Sequence, residues 1–181
     1  MSRVEGLYCE DPGAFTRLYI DYLSEILRSL NSDEVKSFVD TLLDARERGA
    51  KIFFVGNGGS ASTASHFAND LMIGTVSFKK PFRVFSLTDN NAVMTAIGND
   101  YGFDEIFERQ IRVLGEAGDV LVAISASGNS PNLVKAFDAA KEMDITTVSI
   151  TAFDGGILRK KADQGIQVNT EMRDYGPAED A

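Results

Sequence analysis

The chain has little of several residue types, and each shortage excludes a class of function. Its single cysteine, Cys9, allows neither an internal disulfide nor a cluster of thiolate metal ligands. The 18 basic residues are outnumbered by 27 acidic ones and form no clustered patch, which argues against a nucleic-acid partner. No apolar run approaches the roughly 18 residues of a membrane span, and no signal-type segment opens the chain. We therefore expect a cytoplasmic protein without a membrane or nucleic-acid partner.

What is present is the pattern of one α/β domain over residues 1–181, since 44% hydrophobic content at this length suffices for a core. Apolar residues at helical spacing follow Asp11-Pro12 and again Asn31, which predicts two helices before any strand. This helical hairpin, residues 1–49, suits packing on a sheet or pairing with its copy in a homo-oligomer, either a dimer or a tetramer. A parallel α/β core is expected over 50–170, and 171–181 would begin a C-terminal helix.

From Lys51 onward, apolar and β-branched runs alternate with segments of helical spacing. The predicted strands lie within 52–55, 83–87, 120–124, 146–150 and 165–168. The predicted helices cover 60–73, 90–97, 104–114, 131–143 and 157–162. This alternation predicts an α/β fold with a doubly wound parallel sheet covered by helices on both faces.

Two glycine- and serine-rich loops each follow a predicted strand and open a predicted helix. They are Gly56-Asn57-Gly58-Gly59-Ser60 and Ser125-Ala126-Ser127-Gly128-Asn129-Ser130. The N-terminus of a helix offers unpaired N–H groups and a partial positive charge, which suits a phosphate group. Both loops would meet at the carboxyl edge of the sheet, where folds of this kind bind ligands. An acidic protein can then bind an anion locally, through backbone amides and hydroxyls.

The first loop alone leaves other interpretations open. Gly56-x-Gly58-x-x-Ala61 matches the dinucleotide fingerprint, but the acid expected for the ribose would be Asp89, which comes late. The loop that binds nucleoside triphosphates is excluded, because no Lys-Ser or Lys-Thr follows the glycines. A turn built only for tight packing is a further alternative. The three serines of the second loop favour an anion site over all of these, so no nucleotide is expected.

Four segments of the chain form a recognisable set: 52–71 with His66-Phe67-Ala68-Asn69-Asp70, Asn99-Asp100-Tyr101-Gly102-Phe103, 124–132 and Asp154-Gly155-Gly156. Taken together, they resemble the sugar isomerase (SIS) superfamily, and within it the sedoheptulose 7-phosphate isomerases, or phosphoheptose isomerases. The resemblance spans nearly the whole chain and implies a flavodoxin-like three-layer αβα fold and a phosphorylated sugar as ligand.

The resemblance also implies roles for individual residues. Those that would bind the sugar phosphate are Asn57, Gly58, Gly59, Ser60, Asn99 and Asp100. Those that would hold its phosphate group are Ser125, Ala126, Ser127 and Ser130. His66 and Asp70 share one helix face and correspond to metal ligands in the family's zinc-bound members, which implies up to one Zn²⁺ per subunit.

The implied reaction is an aldose–ketose isomerisation through a cis-enediol, for heptose synthesis, with Asp70 as the catalytic base. The family usually has Glu there. Its second proton-transfer group is a histidine in a further C-terminal helix, beyond Ala181. Glu179 falls where the family usually has a Gln that contacts substrate and metal. Either the chain is truncated relative to its relatives, or it lacks the full catalytic pair.

Two classes of function therefore remain open from the sequence. The first is a homo-oligomeric phosphosugar isomerase, favoured by His66, by Asn99-Asp100 and by the complete serine loop. The second is a non-catalytic phosphosugar-binding SIS protein, of the type that associates with the bacterial replication initiator, favoured by the incomplete catalytic pair. A nucleotide-dependent oxidoreductase fits less well, because it would leave the second loop without a role.

Overall fold

A computed structural model describes residues 3–76 and 78–180, without the side chains of Glu179 and Asp180. Its centre is a five-stranded, fully parallel sheet with the strand order β2-β1-β3-β4-β5. The strands are β1 (Lys51–Gly56), β2 (Arg83–Ser86), β3 (Val120–Ser125), β4 (Thr146–Ala152) and β5 (Gln164–Val168). All five predicted strands are thus present, and the parallel α/β class is confirmed.

Helices connect the strands and precede the first of them. Those before the sheet are α1 (Arg3–Leu7), α2 (Pro12–Ser29) and α3 (Ser32–Arg48). Those within the described core are α4 (Gly59–Asn69), α5 (Asn91–Asp100), α6 (Glu108–Leu114), α7 (Pro131–Glu142) and α8 (Gly156–Lys161), and α9 (Tyr175–Asp180) follows the last strand. No helix in the described ranges is long and apolar enough to cross a membrane.

Local capping explains where the N-terminal hairpin begins and turns. The Asp11 carboxylate accepts a hydrogen bond from the Gly13 N–H at 2.9 Å, with Pro12 as the first helical residue. Asn31 caps α3 in the same way, through the Asp33 N–H at 2.9 Å. Gly49 ends α3 with a φ of 70°, a conformation that favours glycine. Both predicted helices are therefore found with the predicted start signals.

Helices cover both faces of the sheet and make three layers. One core cluster joins α6 and α7 to one face and includes Phe53, Phe107 and Phe137. The other joins α3 and α4 to the opposite face and includes Phe38 and Phe54. The alternation of side chains along β1, with Phe53 on one face and Phe54 on the other, supplies both clusters. The three-layer αβα architecture implied by the resemblance is confirmed.

The structure differs from the prediction in three segments. After α4 the chain continues as one π-helical turn, Asp70–Gly74, in which the Thr75 N–H bonds the Asp70 carbonyl at 3.1 Å. The predicted helix 104–114 is divided into a 3₁₀ turn, Phe103–Glu105, and α6. The short helix α1 was not expected from the sequence.

The strand order places a topological switch point between β1 and β3. The chain crosses to one side of β1 to form β2 and to the other side to form β3, β4 and β5. Ligands of doubly wound folds bind in the crevice at the carboxyl ends of strands where the order reverses. The loops that follow β1 and β3 are the two glycine- and serine-rich loops, so the fold brings them to this crevice.

Candidate active site

The serine loop, residues 125–130, is held in one conformation by its own backbone. Ser125 is buried, and both its carbonyl and its hydroxyl accept a hydrogen bond from the Gly128 N–H, at 3.2 and 3.1 Å. Gly128 has a φ of 62°, which only glycine adopts without strain. Ser130 takes the N-cap position of α7 with an extended backbone, and its side chain makes no capping bond. The Ser130 hydroxyl is therefore available to a ligand at the start of α7.

The turn after β4 supports the serine loop from the side. A Cβ on Gly128 would lie 2.1 Å from the Gly155 carbonyl oxygen, and one on Gly156 would lie 2.4 Å from the Ser127 carbonyl oxygen. The Leu158 N–H donates to the Gly128 carbonyl at 2.9 Å. The two backbones approach so closely that glycine is required on both sides. Asp154-Gly155-Gly156, a motif without an assigned role in the sequence, thus positions the proposed phosphate loop.

The first loop, residues 56–60, is equally tight but has fewer supports. A Cβ on Gly56 would lie 2.5 Å from the Ser60 carbonyl oxygen, so glycine lets α4 start directly above the end of β1. Gly58 is the N-cap residue of α4, with a φ of 56°, and no side chain caps the helix. The first N–H groups of α4 are thus left for a ligand, as at any helix start without a side-chain cap.

A pair of asparagine side chains joins the two loops. Asn57 in the first loop donates to the Asn132 amide oxygen at 3.0 Å, and Asn132 donates back to the Asn57 amide oxygen at 2.9 Å. Asn132 is the second residue of α7 and is 1% exposed. Asn132 belongs to the motif at 124–132, but the family resemblance assigns it no role. Its position directly after Ser130-Pro131 is the only sequence signal that could have found it.

His66 and Asp70 lie one helical turn apart beyond the first loop. The His66 Nε2 and Asp70 Oδ2 atoms are 3.1 Å apart, and the two side chains are 75% and 61% exposed. Asn69 donates to the other Asp70 oxygen at 3.0 Å. With Ser62, Thr63 and Phe67 they line an open pocket of about 350 Å³. An imidazole nitrogen and a carboxylate oxygen on one face are a donor pair that suits zinc.

In the described part of the chain, no hydrogen bond or ion pair joins the other predicted site residues to the loops. Asn99 and Asp100 end α5, where the Asn99 amide donates to the Asp100 carboxylate at 2.8 Å. The side chain of Glu179 lies outside the part that the structure describes. Among the described residues, no group of three or more His, Cys, Asp or Glu side chains could hold a metal ion. His66 and Asp70 could therefore supply part of a metal site.

Comparison of this chain with known proteins shows which family it belongs to. The family model described as "SIS domain" matches residues 18–152. The phosphoheptose isomerase of Nitratidesulfovibrio vulgaris (strain Miyazaki F) is 42% identical over 77% of this chain and 67% of its own length. That of Helicobacter pylori (strain P12) is 40% identical over 82% of this chain and 77% of its own. The match thus spans about two thirds to three quarters of these relatives.

Solved structures agree with the sequence relatives. The phosphoheptose isomerase from Francisella tularensis superposes with a TM-score of 0.82 at 25% identity, over 99% of this chain and 92% of that one. The phosphoheptose isomerase from Neisseria gonorrhoeae gives a TM-score of 0.69 at 34% identity, over 91% and 90%. The resemblance drawn from the motifs is confirmed, and the chain belongs to the SIS domain family, among the phosphoheptose isomerases.

Proposed function

We propose that the chain is a phosphosugar isomerase that converts sedoheptulose 7-phosphate into D-glycero-D-manno-heptose 7-phosphate. The observation that carries this proposal is the pairing of the two loops at the switch point. His66 and Asp70 lie at the C-terminal end of α4, the helix that the first loop opens. The four relatives described above are named phosphoheptose isomerases, which supports the same reaction.

In this proposal the serine loop binds the phosphate end of the sugar. Ser127 and Ser130 offer hydroxyls, and the start of α7 offers a partial positive charge. Because the loop is already folded against Gly155 and Gly156, binding does not have to order it. The phosphate then orients the rest of the sugar past the first loop toward His66 and Asp70, where the reacting carbons would lie.

Asp70 would transfer the proton. Its carboxylate takes a proton from C1 of the ketose, the C1–H electron pair forms the C1=C2 bond, and the carbonyl oxygen on C2 gains a proton. The resulting cis-enediol then receives the proton on C2, while the hydroxyl on C1 loses one to form the aldehyde. The Asp70 carboxylate is 61% exposed and lies next to His66, so it is open to a substrate.

We also propose that His66 and Asp70 contribute to a zinc site, with Glu179 as a further ligand. The separation of 3.1 Å between the two side chains lets both reach one ion from the same helix face. Bound zinc would polarise the oxygens of the reacting carbons and so make the C1 proton more acidic. No nucleotide cofactor is needed for the reaction.

We propose a homo-oligomer, either a dimer or a tetramer, assembled through the N-terminal hairpin. The inner face of α3 is buried on the sheet through Phe38 and Leu42. The outer faces of α2 and α3 expose large apolar side chains, among them Leu18, Ile20, Leu27, Val39 and Leu43. A second copy would remove this apolar surface from water. Sedimentation equilibrium measures the mass; a monomer at micromolar concentration would refute this assembly.

We place the reaction in the cytoplasm, in heptose synthesis. A phosphorylated sugar is charged and does not cross a lipid bilayer unaided. No helix of residues 3–76 and 78–180 is suited to crossing a membrane either. Fractionation of cells that produce the protein checks the location, and recovery with the membranes would contradict it.

The decisive experiment is incubation of the purified protein with sedoheptulose 7-phosphate, with and without added zinc, followed by detection of the aldose phosphate. Turnover supports the isomerase. Absence of turnover together with saturable thermal stabilisation by the sugar phosphate would replace it with the non-catalytic binding protein.

A second measurement tests the phosphate assignment. Ser127→Ala and Ser130→Ala are each expected to weaken binding of sedoheptulose 7-phosphate by roughly tenfold, because each removes one hydrogen bond to a charged phosphate. Ser24→Ala on α2 is the matched control and should leave the dissociation constant unchanged. Calorimetric titration measures all three. Unchanged binding in both loop variants would refute the assignment.

A further inference from the structure

The orientation of the Asn132 amide is determined by the backbone of its own helix. The Leu133 N–H donates both to the Asn132 amide oxygen at 3.0 Å and to the Ser130 carbonyl at 3.1 Å. Only the oxygen of an amide can accept such a bond, so the other end of the group must be the NH₂. That NH₂ donates to Asn57, and the whole side chain is buried. The amide of Asn132 therefore cannot flip without losing these bonds.

Asn132 in turn determines the orientation of Asn57. The Asn132 oxygen accepts from the Asn57 NH₂, and the Asn132 NH₂ donates to the Asn57 oxygen. A flipped Asn57 would place two donors against each other and two acceptors against each other. Because Asn57 lies in a loop and is partly exposed, it has no comparable support from the backbone in the described residues. Its orientation comes from Asn132.

The pair uses half of the hydrogen-bonding capacity of the Asn57 amide. An amide has two N–H donors and two acceptor lone pairs, and the pair with Asn132 uses one of each. One N–H and one lone pair of Asn57 remain, next to the glycines of the first loop. A donor and an acceptor side by side match a sugar hydroxyl, which both donates and accepts.

We infer that Asn132 is a positioning residue, which orients the Asn57 amide toward the hydroxyls of the bound sugar and couples the first loop to the serine loop. This inference rests on the proposed sugar-phosphate site. Asn132 contacts no ligand itself, because it is buried beneath Asn57 at the start of α7. Its effect on substrate must therefore pass through Asn57, and this makes it testable by a double-mutant cycle.

The experiment measures kcat and KM for sedoheptulose 7-phosphate in the wild type, Asn132→Ala, Asn57→Ala and the double variant. Asn132→Ala should raise KM by roughly tenfold, because Asn57 loses its fixed orientation. In the Asn57→Ala background the same substitution should change KM less than about twofold. An equal increase of KM in both backgrounds, or no increase in the wild-type background, would overturn the inference.

Two further variants separate positioning from folding. Asn132→Asp keeps the acceptor for Asn57 and for Leu133 but places a charged carboxylate oxygen against the Asn57 oxygen, so its KM should rise as in Asn132→Ala although the side chain keeps its size. Gln110→Leu removes another buried amide, which donates to the Leu87 and Ile106 carbonyls far from both loops in sequence. It should lower the melting temperature and leave KM unchanged. A KM increase in Gln110→Leu as large as in Asn132→Ala would reduce Asn132 to a structural role.

Calorimetric binding of sedoheptulose 7-phosphate distinguishes this inference from the proposed function. If the wild type binds the sugar phosphate without converting it, the isomerase proposal fails and the same cycle is read in dissociation constants. If Asn132→Ala then changed the dissociation constant equally in the wild-type and Asn57→Ala backgrounds, only the inference about Asn132 would be overturned. If the wild type neither binds nor converts the sugar phosphate, both are overturned.

Discussion

The two ends of the candidate site differ in how completely the chain builds them. The phosphate end, residues 125–130, is enclosed by the turn after β4 and by α7, with Ser125 and Asn132 buried. The reaction end is exposed, with His66 in the last turn of α4 and Asp70 as the first residue of the π-helical turn. The segment that follows exposes Met72, Ile73, Val76 and Phe78.

This difference shows which function each end can perform with the described residues alone. Binding an anion needs fixed N–H groups and hydroxyls, which local loops and helix starts supply. Proton transfer needs a base shielded from water and a second group on the other side of the substrate. Within residues 3–76 and 78–180, the polar partners of the exposed Asp70 carboxylate are His66 and Asn69. The phosphate end is preorganised, whereas the reaction end has room for further groups around it.

The largest effect is expected at the reaction end. Asp70→Asn should lower kcat by about 10³-fold, because removal of a general base costs roughly 10² to 10⁴ in rate. The dissociation constant of sedoheptulose 7-phosphate should change much less, since the phosphate end is intact. Asp70→Glu should retain turnover, because it keeps the carboxylate on an arm one methylene longer.

Rate and binding measurements on these variants decide whether the two ends are separable. Asp40→Asn, another exposed carboxylate variant but on α3, is the matched control and should keep full activity. If Asp70→Asn weakened binding as strongly as it lowered kcat, the phosphate end and the reaction end would not have separate functions.

The next largest effect concerns the rigidity of the phosphate end. Gly156→Ala should lower the free energy of unfolding by about 3 kcal/mol, because its Cβ would lie 2.4 Å from a backbone oxygen at a φ of 56°. Gly49→Ala has a comparable φ of 70° but nothing within 4 Å, so it should cost only about 1 kcal/mol. Urea denaturation measures both losses. Equal losses would show that the contact between the turn and the serine loop is not tight.

The smallest effect concerns Asp163, at the edge of the sheet opposite the loops. Asp163 joins the segment before β5 to β4, since its carboxylate accepts from the Thr147 N–H at 2.8 Å and the Thr147 hydroxyl at 2.7 Å. Burial opposes ionisation, but these bonds and Lys141 outweigh it and hold the pKa of Asp163 below its ordinary value of 3.8. A carboxylate with a lowered pKa stabilises the fold at neutral pH, and this contribution is lost as the pH falls below about 4.

Asp163→Asn should therefore be less stable than the wild type by about 1 kcal/mol at pH 7, with a difference that shrinks toward pH 3. Urea denaturation at several pH values measures this difference. The binding of sedoheptulose 7-phosphate should not change at pH 7, because Asp163 lies away from the carboxyl edge of the sheet. A difference that grew on acidification would contradict the assigned pKa direction.

Much of the fold could be predicted because its signals are local. Asp11-Pro12 and Asn31 act as caps through residues two positions away, and β1 and β3 are continuous apolar runs. The motifs also identified the family, and the relatives confirm it. The π-helical turn at Asp70 and the break at Ile106-Phe107 were not predicted, because helical spacing of apolar residues continues through both segments.

The roles of the individual site residues depended less on local pattern. The sequence placed both loops at one edge of the sheet, and the family resemblance supplied the roles of Asp70, His66 and the serines. Those roles remain predictions. The part played by Asn132 was missed, because nothing in the order of residues around it shows that its partner lies 75 positions earlier.

The sequence by itself determined the alternation of strands and helices, the two loops and the kind of ligand they suit, because caps, periodicity and glycine turns act over a few residues. Only the tertiary structure decided how the loops are joined. The register of β1 with β3, which pairs Gly56 with Ile124, brings Asn57 within hydrogen-bonding distance of Asn132. The turn at Gly155 reaches the serine loop through the next strand pair in the same way. Hydrogen bonds and backbone contacts of this kind depend on distances of a few tenths of an ångström, which only the packed sheet determines.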